Sequence, residues 1–310
     1  MALSVAQTIP EHYQRAFADR FDHVIQQKTQ KLGSKVHVAN FVGREKPFKD
    51  LESLSFTRRA GRLTKSTPSQ VTGHNRKMTK IDFKCQIEFD RLDNEFLGTL
   101  GQPNSEVMQA MSMAWDRTMD LEIINAATAT VYGGASEQMV TPIDLPSSQD
   151  VAVNHVKSGG TPANSGLTPQ KILKARSILQ ANEVDPLLEE CCIAIGPDDE
   201  RDLMAYVETS PNDVWAKMVV SWLENTSGKL FGFTPVQTNN LDLDSGTDIA
   251  TVLVWSKERG IYVAPDTLET HIDIIPTKDH SVQISAYGLC GFMRRYEKTV
   301  VRIYCDRSPL

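Results

Sequence analysis

The sequence predicts an α+β fold, and three stretches carry that prediction. Ile81, Phe83, Cys85, Ile87 and Phe89 alternate with Asp82, Lys84, Gln86, Glu88 and Asp90, the period of two that gives a strand one apolar and one wet face. Met108, Met111, Trp115, Met119, Ile123 and Ala127 recur every three or four residues, the stripe of a single long helix. Between residues 166 and 275, short apolar runs rich in β-branched residues intermix with capped helical segments, and mixing of that kind is the α+β pattern.

Taken in order, residues 1–34 read as an arm. Glu11 to Gln30 is polar, with apolar points at Phe17, Phe21, Val24 and Ile25 at helical spacing. The stripe is thin, so this helix leans on something else, either its own core or a second copy of the chain. Residues 35–92 read as β structure with a long middle excursion. The excursion's tip, from Arg58 to Met78, is rich in Arg, Lys, Ser, Thr and Gly and has little to bury. A two-stranded excursion of that kind is marginal alone and gains from a neighbour that holds it.

The long helix is expected over residues 104–130. Pro103 stops what precedes it, Asn104 or Ser105 can cap it, and Glu106 suits the positive first turn. Gly133 and Gly134 follow as a stop. Residues 138–166 hold clusters of Pro, Gly, Ser and Asn, the composition of a connection between units. Thr168-Pro169 then starts a helix whose buried face is Ile172, Leu173, Ala175, Ile178 and Leu179. Glu190 to Ile195 reads as a short buried strand. Gly196-Pro197-Asp198 turns into a helix through Leu203 and Tyr206, and Ser210 to Asp213 has the spacing of a capping box before a third helix. Strands follow at Ile249–Trp255, Gly260–Ala264, Thr270–Ile275 and Gln283–Gly288. A last one at Val300–Asp306 is expected to return to an earlier sheet, the one that bears the long helix.

Charge is unevenly placed. Eleven Lys or Arg and four acids lie between Arg44 and Lys84, so that stretch carries +7 while the whole chain carries -6. The rest is therefore -6 minus +7, or -13. A basic segment on an acidic body suits contact between copies of one chain, although a solvated surface hairpin explains the same charges. The five cysteines are odd in number and form no CxxC, which fits reduced, buried thiols. The first thirty residues hold polar groups throughout, so no signal peptide is expected, and no apolar run approaches the ~18 residues that span a bilayer. The Asn225-Thr226-Ser227 acceptor pattern is then a chance match.

Motifs for chemistry are missing. No phosphate-cradling glycine loop, dinucleotide fingerprint, nucleophile elbow or HExxH is present. His271 and His280 flank Asp273, a weak hint of a metal. Asp242, Asp244 and Asp248 around Gly246 superficially match a calcium loop, but the glycine is one place early and the twelfth position lacks Glu, so an acidic turn is the better reading. No catalytic residue, metal ligand or cofactor is expected.

The order of elements and several local stretches together resemble the major capsid proteins of tailed bacteriophages, which share the Hong Kong 97 fold. The stretches are LEIINAATATVYGG (121–134), GKLFGFTPVQTNNL (228–241), the strand pair from Asp248 to Ala264, and YGLCGFMRRYEKTVVRIYCD (287–306). Each is loose alone; together they cover roughly residues 36–306.

The resemblance implies an N-terminal arm (1–35), an extended β-hairpin E-loop with flanking strands (36–92), a P-domain with its spine helix at 104–130 (93–165), an α+β A-domain (166–285), and a C-terminal return to the P-domain (286–310). It implies a subunit that assembles with itself into pentamers and hexamers of an icosahedral head around double-stranded DNA, which it touches non-specifically. It also implies a virion location after assembly in the bacterial cytoplasm, with a scaffolding protein, a portal and a decoration or cement protein as further partners. No autocatalytic crosslink is expected, because none of Lys65, Lys77 and Lys80 can be matched to the lysine that some members use.

The inter-subunit residues expected on the excursion are Arg58, Arg59, Arg62, Lys65, Arg76 and Lys77. Their acidic partners would be Asp90, Asp93, Glu95, Asp116 and Asp120, with Glu106 in the same stretch. Three readings stay open beside this one: an encapsulin-like compartment shell, a soluble α+β enzyme with a cleft gathering His271, Asp273 or Asp242, and a nucleic-acid-binding module using residues 44–84.

Overall fold

The computed structural model describes residues 27–51, 54–56, 58, 61, 73–89, 106–134, 139–156, 162–209, 213–224, 228–244, 246–266, 268–278 and 280–308. The expected arm helix before residue 27 therefore lies outside the described residues, as do Arg59, Arg62, Lys65, Asp90, Asp93 and Glu95.

In chain order the strands are β1 (His37–Val38), β2 (Glu45–Leu51), β3 (Gly73–Phe89), β4 (Val131–Gly134), β5 (Thr141–Ile143), β6 (Asp150–Val151), β7 (Cys191–Ile195), β8 (Thr234–Gln237), β9 (Leu243–Asp244), β10 (Ile249–Ser256), β11 (Ile261–Pro265), β12 (Glu269–Ile275), β13 (Ser281–Arg294) and β14 (Val300–Asp306). The helices are α1 (Glu106–Thr128), α2 (Pro169–Ala181), α3 (Pro197–Thr209) and α4 (Val214–Leu223). Among the described residues these strands form two sheets. The first runs β1-β11-β13-β3-β4-β5, with β12 on β13 and β2 on β3; the second runs β6-β14-β10-β7-β8, with β9 on β10.

The second sheet is the driest part of the molecule. Every residue of β7 is buried and β10 is buried from Ala250 to Ser256. Neighbouring side chains in a strand point to opposite faces, so Cys191 and Cys192 can both be fully buried only because both faces of this sheet are covered. Burial pushes the thiols of Cys191, Cys192, Cys290 and Cys305 up to about 12, which makes them inert fillers rather than nucleophiles. Cys85 differs from the expectation of burial and is exposed.

Helix α1 joins the two sheets. At 23 residues it is about 35 Å long, at ~1.5 Å per residue. Its first half lies on the first sheet, with Met111 against Ile284 and Ala286. Its second half, Met119, Ile123, Ile124 and Ala127, enters the main core with Val252, Val254 and Trp255. Trp115 stacks edge-on to Phe83 with ring centroids 5.8 Å apart. The strand residue opposite Phe83 is Gly288, where an added Cβ would lie 2.4 Å from the Trp115 ring, so glycine is what lets the helix sit this close.

Other elements follow their local chemistry. Pro169 opens α2 after Thr168, although the Thr168 hydroxyl makes no capping bond. Asp199, in the acidic first turn of α3, accepts from the Gly196 amide and from Arg307 at 2.8 Å each, which satisfies the helix start and ties it to the C-terminal tail. The capping expectation for α4 is corrected in one respect: Asp213, not Ser210, is the N-cap and accepts from the Trp215 amide.

Two further expectations change. The final strand does not return to the sheet that bears the first half of α1; β14 joins the second sheet between β6 and β10. Its residues Val300, Val301 and Ile303 are fully buried there, with both faces of the second sheet covered. The divide expected at 285/286 falls inside the continuous strand β13, whose pairing with β3 is unbroken from Val282 to Gly291.

Candidate functional site

The base of the basic excursion holds a dense cluster of ionised residues. β2 and β3 pair from Glu45 with Thr79 to Leu51 with Gly73, which brings Asp50 and Arg76 to one face of the hairpin. The turn after β13 brings Arg294, Arg295, Tyr296 and Glu297 to meet them. Both terminal nitrogens of Arg76 donate to the Glu297 carboxylate, the outer pair at 2.8 Å, and Arg76 Nε lies 3.4 Å from Asp50. Asp50 also accepts from Arg295 and, at 2.9 Å, from the Tyr296 hydroxyl. The Arg295 guanidinium stands over the rings of Tyr296, Phe48 and Tyr262.

Arg294 extends the network into the core. It is fully buried and donates to the carbonyls of Ala127 (3.0 Å), Ala129 (2.8 Å) and Ile143 (2.9 Å). A cation on the last carbonyls of α1 satisfies the helix end and complements its dipole. Burial is the largest single influence on Glu297 and works against its charge, but the hydrogen bond and the charge of Arg76, together with the nearby Arg294, outweigh it and hold the carboxyl below its ordinary range. Residues 294–297 thus tie the hairpin base, the end of the long helix and the end of β5 together.

This geometry sorts the expected inter-subunit residues. Arg76 is buried and committed to Glu297 and Asp50 of its own chain, so it departs from the expectation of an outward contact. Lys77 pairs with Glu45 across the hairpin at 3.3 Å and is part-exposed. Arg58 is exposed. On the acidic side, Asp120 is fully buried and accepts from the Gln27 side chain and from the amides of Lys31 (2.9 Å) and Leu32 (3.0 Å). It anchors residues 27–32 onto α1 and is not open to a second chain. Asp116 is half-buried, and burial together with nearby Asp120 raises its pKa.

His271 and Asp273 lie on exposed β12, His271 beside Glu269 at 3.8 Å, whereas Asp244 ends β9 of the second sheet and Asp242 lies just before that strand. Asp244 accepts from the Gly246 amide and the Thr247 hydroxyl, an ordinary acidic turn, and those bonds lower its pKa. No group of three or more His, Cys, Asp or Glu among the described residues stands close enough to share a metal ion, and no described helix is long and apolar enough to cross a membrane.

Sequence reasoning missed the exposed apolar groups. Leu54 and Phe56 on the excursion are exposed, Phe56 completely. The strand expected to have one buried face keeps Ile81 half-exposed. β12 pairs only with β13, and among the described residues no strand lies on its other edge. Its Ile272 and Ile274 are 40% and 64% exposed. The alternation of apolar residues in these strands is visible in the sequence; how much of them the chain itself covers is not.

Known proteins resemble this architecture over its full length. A family model described as phage capsid protein matches residues 9–307. No curated protein is significantly similar in sequence. Among solved structures, the capsid of Ralstonia phage GP4 aligns with a TM-score of 0.65 at 11% identity over 100% of both chains. The capsid of cyanophage P-SCSP1u gives 0.64 at 15% identity over 95% of this chain and 93% of the other. The cyanophage Pam1 capsid gives 0.63 at 12% identity over 98% of each. At these identities the structures establish the fold, a mixed α+β capsid fold, and the family match over nearly the whole chain establishes kinship: this chain belongs to the phage capsid protein family and is a structural protein of the phage head shell.

Proposed function

We propose that the chain is the major capsid subunit, that it closes into pentamers and hexamers, and that these form an icosahedral shell around double-stranded DNA. The carrying observation is a folded, well-cored body from which a basic hairpin projects with apolar and cationic residues that its own chain does not cover. Heterologous contacts between such copies generate rings. In this reading β2, β3 and the excursion between them form the E-loop. α1 is the spine of the P-domain with the first sheet, and the second sheet with α2, α3 and α4 is the A-domain. The tight hub at Arg76, Asp50 and Glu297 sets the direction in which the hairpin leaves the body.

The remaining cations of the excursion, Arg58, Arg59, Arg62, Lys65 and Lys77, face a neighbour's acidic surface near Asp90, Asp93, Glu95 and Asp116. Exposed pairs are each worth only ~0–1 kcal/mol, so they select and orient while the buried area of many contacts supplies stability. A separate scaffolding protein, a portal and a decoration or cement protein complete the assembly, which takes place in the bacterial cytoplasm. DNA is touched non-specifically.

The test is expression with the neighbouring scaffold gene, followed by size-exclusion chromatography and negative-stain microscopy. Closed particles tens of nanometres across, or rings of five and six, are the expected result. Reversing Arg58 and Arg59 to Glu is expected to abolish particles while the subunit's melting temperature stays unchanged. A chain that remains monomeric with every partner present would overturn the assembly reading.

A further inference from the structure

We propose that residues 185–189 form a leucine knob, and that Leu188 of one copy fills a small apolar cavity between α1 and β3 of a second copy. The inference rests on the assembly reading above and names a contact that uses neither the excursion nor a sheet edge. The knob is rigidly built. α2 ends at Ala181, and Glu183 takes a φ of 61°, which turns the chain sharply after the helix. Val184 then enters the main core at 2% exposure, and Pro186 is buried as well. Asp185 closes the turn between these two anchors. Its carboxylate accepts from the Leu187 amide at 3.0 Å, and its carbonyl accepts from the amides of Leu188 (3.0 Å) and Glu189 (2.9 Å). Leu187 and Leu188 are thereby held out at 67% and 87% exposure, and Leu188 is the most exposed leucine among the described residues. A side chain presented on a fixed backbone loses little freedom when a partner covers it.

The cavity has a volume of about 100 Å³. Phe83 of β3, Met111, Ala114 and Trp115 of α1, and Leu268 form its apolar walls, and Lys84 and Cys85, both exposed, lie at its rim. An apolar cavity of ~150 Å³ stays dry and takes up a molecule the size of benzene, so a slightly smaller one suits a single aliphatic side chain. Leu188 enters it, and Leu187 lies over its edge.

Charge agrees with size. Glu189 and Glu190 are committed to Arg259, Lys35 and Lys257 of their own chain. Glu183, exposed, and Asp185 are the remaining acids beside the knob, and the cation at the rim of the cavity is Lys84. Opposite charges around an apolar plug orient the approach and reject wrong partners. The occupant is a second copy. Leu188 is bare in its own chain, so it does not fill its own cavity. The knob precedes β7 of the second sheet, whereas the cavity lies under the first half of α1 on the first sheet. Two different patches of one chain that complement each other make a head-to-tail contact, the heterologous geometry a ring needs.

The native Cys85 supplies the experiment. Leu188→Cys carries a thiol to the rim of the cavity, and two cysteines bridge when their Cβ atoms come within ~3.5–4.5 Å. Mild oxidation of particles assembled from this variant is expected to give a ladder of covalent oligomers in denaturing gels. The ladder should vanish when Cys85→Ser is added. Leu188→Asp is expected to lower particle yield by roughly tenfold or more, the effect of losing an anchor side chain from its pocket. Its exposed position keeps the subunit's melting temperature unchanged. Ala114→Leu fills the cavity from within and should lower the yield in the same way without lowering the melting temperature. Normal particle yield from Leu188→Asp would overturn the docking and leave the assembly reading intact. A lowered yield without a bridge to Cys85 would place Leu188 against another surface and overturn it too, as would a disulfide within one chain. If the unmodified chain forms no particles with its scaffold, both readings fall together.

Discussion

β10 and β12 are nearly equal in length and both rich in β-branched residues, yet they live in opposite surroundings. β10 is paired on both sides, by β14 on one and by β7 and β9 on the other, and is buried from Ala250 to Ser256. β12 is paired on one side and exposed from Glu269 to Ile274. The difference separates two tasks. The second sheet completes its core within one chain. The β12 side of the first sheet leaves Ile272 and Ile274 bare, and Leu54 and Phe56 are bare as well. Exposed apolar groups of this kind are what contacts between chains commonly bury.

The largest test of this contrast lies in the completed half. Trp255 is fully buried and its indole N–H donates to the Lys35 carbonyl at 2.9 Å. Trp255→Ala is expected to cost about 3–5 kcal/mol, read as a lower midpoint in urea unfolding or as loss of soluble subunit. A midpoint within error of the parent would mean that this sheet is not the core of stability.

Somewhat smaller effects are expected at the hub. Arg294→Met would leave three buried carbonyls without their donor and Glu297 with one cation fewer. Its cost is about 2–4 kcal/mol, measured by calorimetry, and hydrogen exchange should quicken at the end of α1 as well as in β2 and β3. Exchange that quickens in the hairpin alone would show that the helix end is not held by Arg294.

Gly288→Ala tests the close approach of Trp115 and is expected to cost about 1–3 kcal/mol through overpacking. Trp115→Phe in the same chain should recover part of that loss; no recovery would place the strain elsewhere.

Acid probes the hub more gently. The folded pKa of Glu297 lies below its unfolded value. Its stabilising contribution is therefore fully present above the ordinary carboxylate range and is lost as pH falls through the folded value. The difference in melting temperature between the parent and Glu297→Gln should shrink as pH drops below that range. A difference that persists unchanged would mean that Glu297 acts by shape rather than charge. The smallest effect is expected at Lys278, whose pair with Glu88 is well exposed. Lys278→Ala should change stability by less than about 1 kcal/mol.

Much of the fold was legible because periodicity is local. The stripe from Met108 to Ala127, the alternation from Ile81 to Phe89, the Thr168-Pro169 start and the strand at Val300–Asp306 are written in spacings of two, three or four residues. Less of the site was legible. The excursion's charge marked the region, but sequence could not tell that Arg76 turns inward to Glu297 or that Asp120 is spent on the amides of Lys31 and Leu32. Those pairs join residues far apart along the chain, and no spacing rule reaches across that distance.

By itself, then, the sequence determined which segments are helix and strand, where basic charge gathers, and that the elements follow the order of a capsid subunit. The tertiary structure alone decided which apolar faces the chain covers for itself. Burial is a property of what packs opposite a residue, so a sealed strand position cannot be told from a bare one by residue type alone. Val254 and Ile274 are both β-branched strand residues, yet one is sealed between β7 and β14 while the other waits at an open edge.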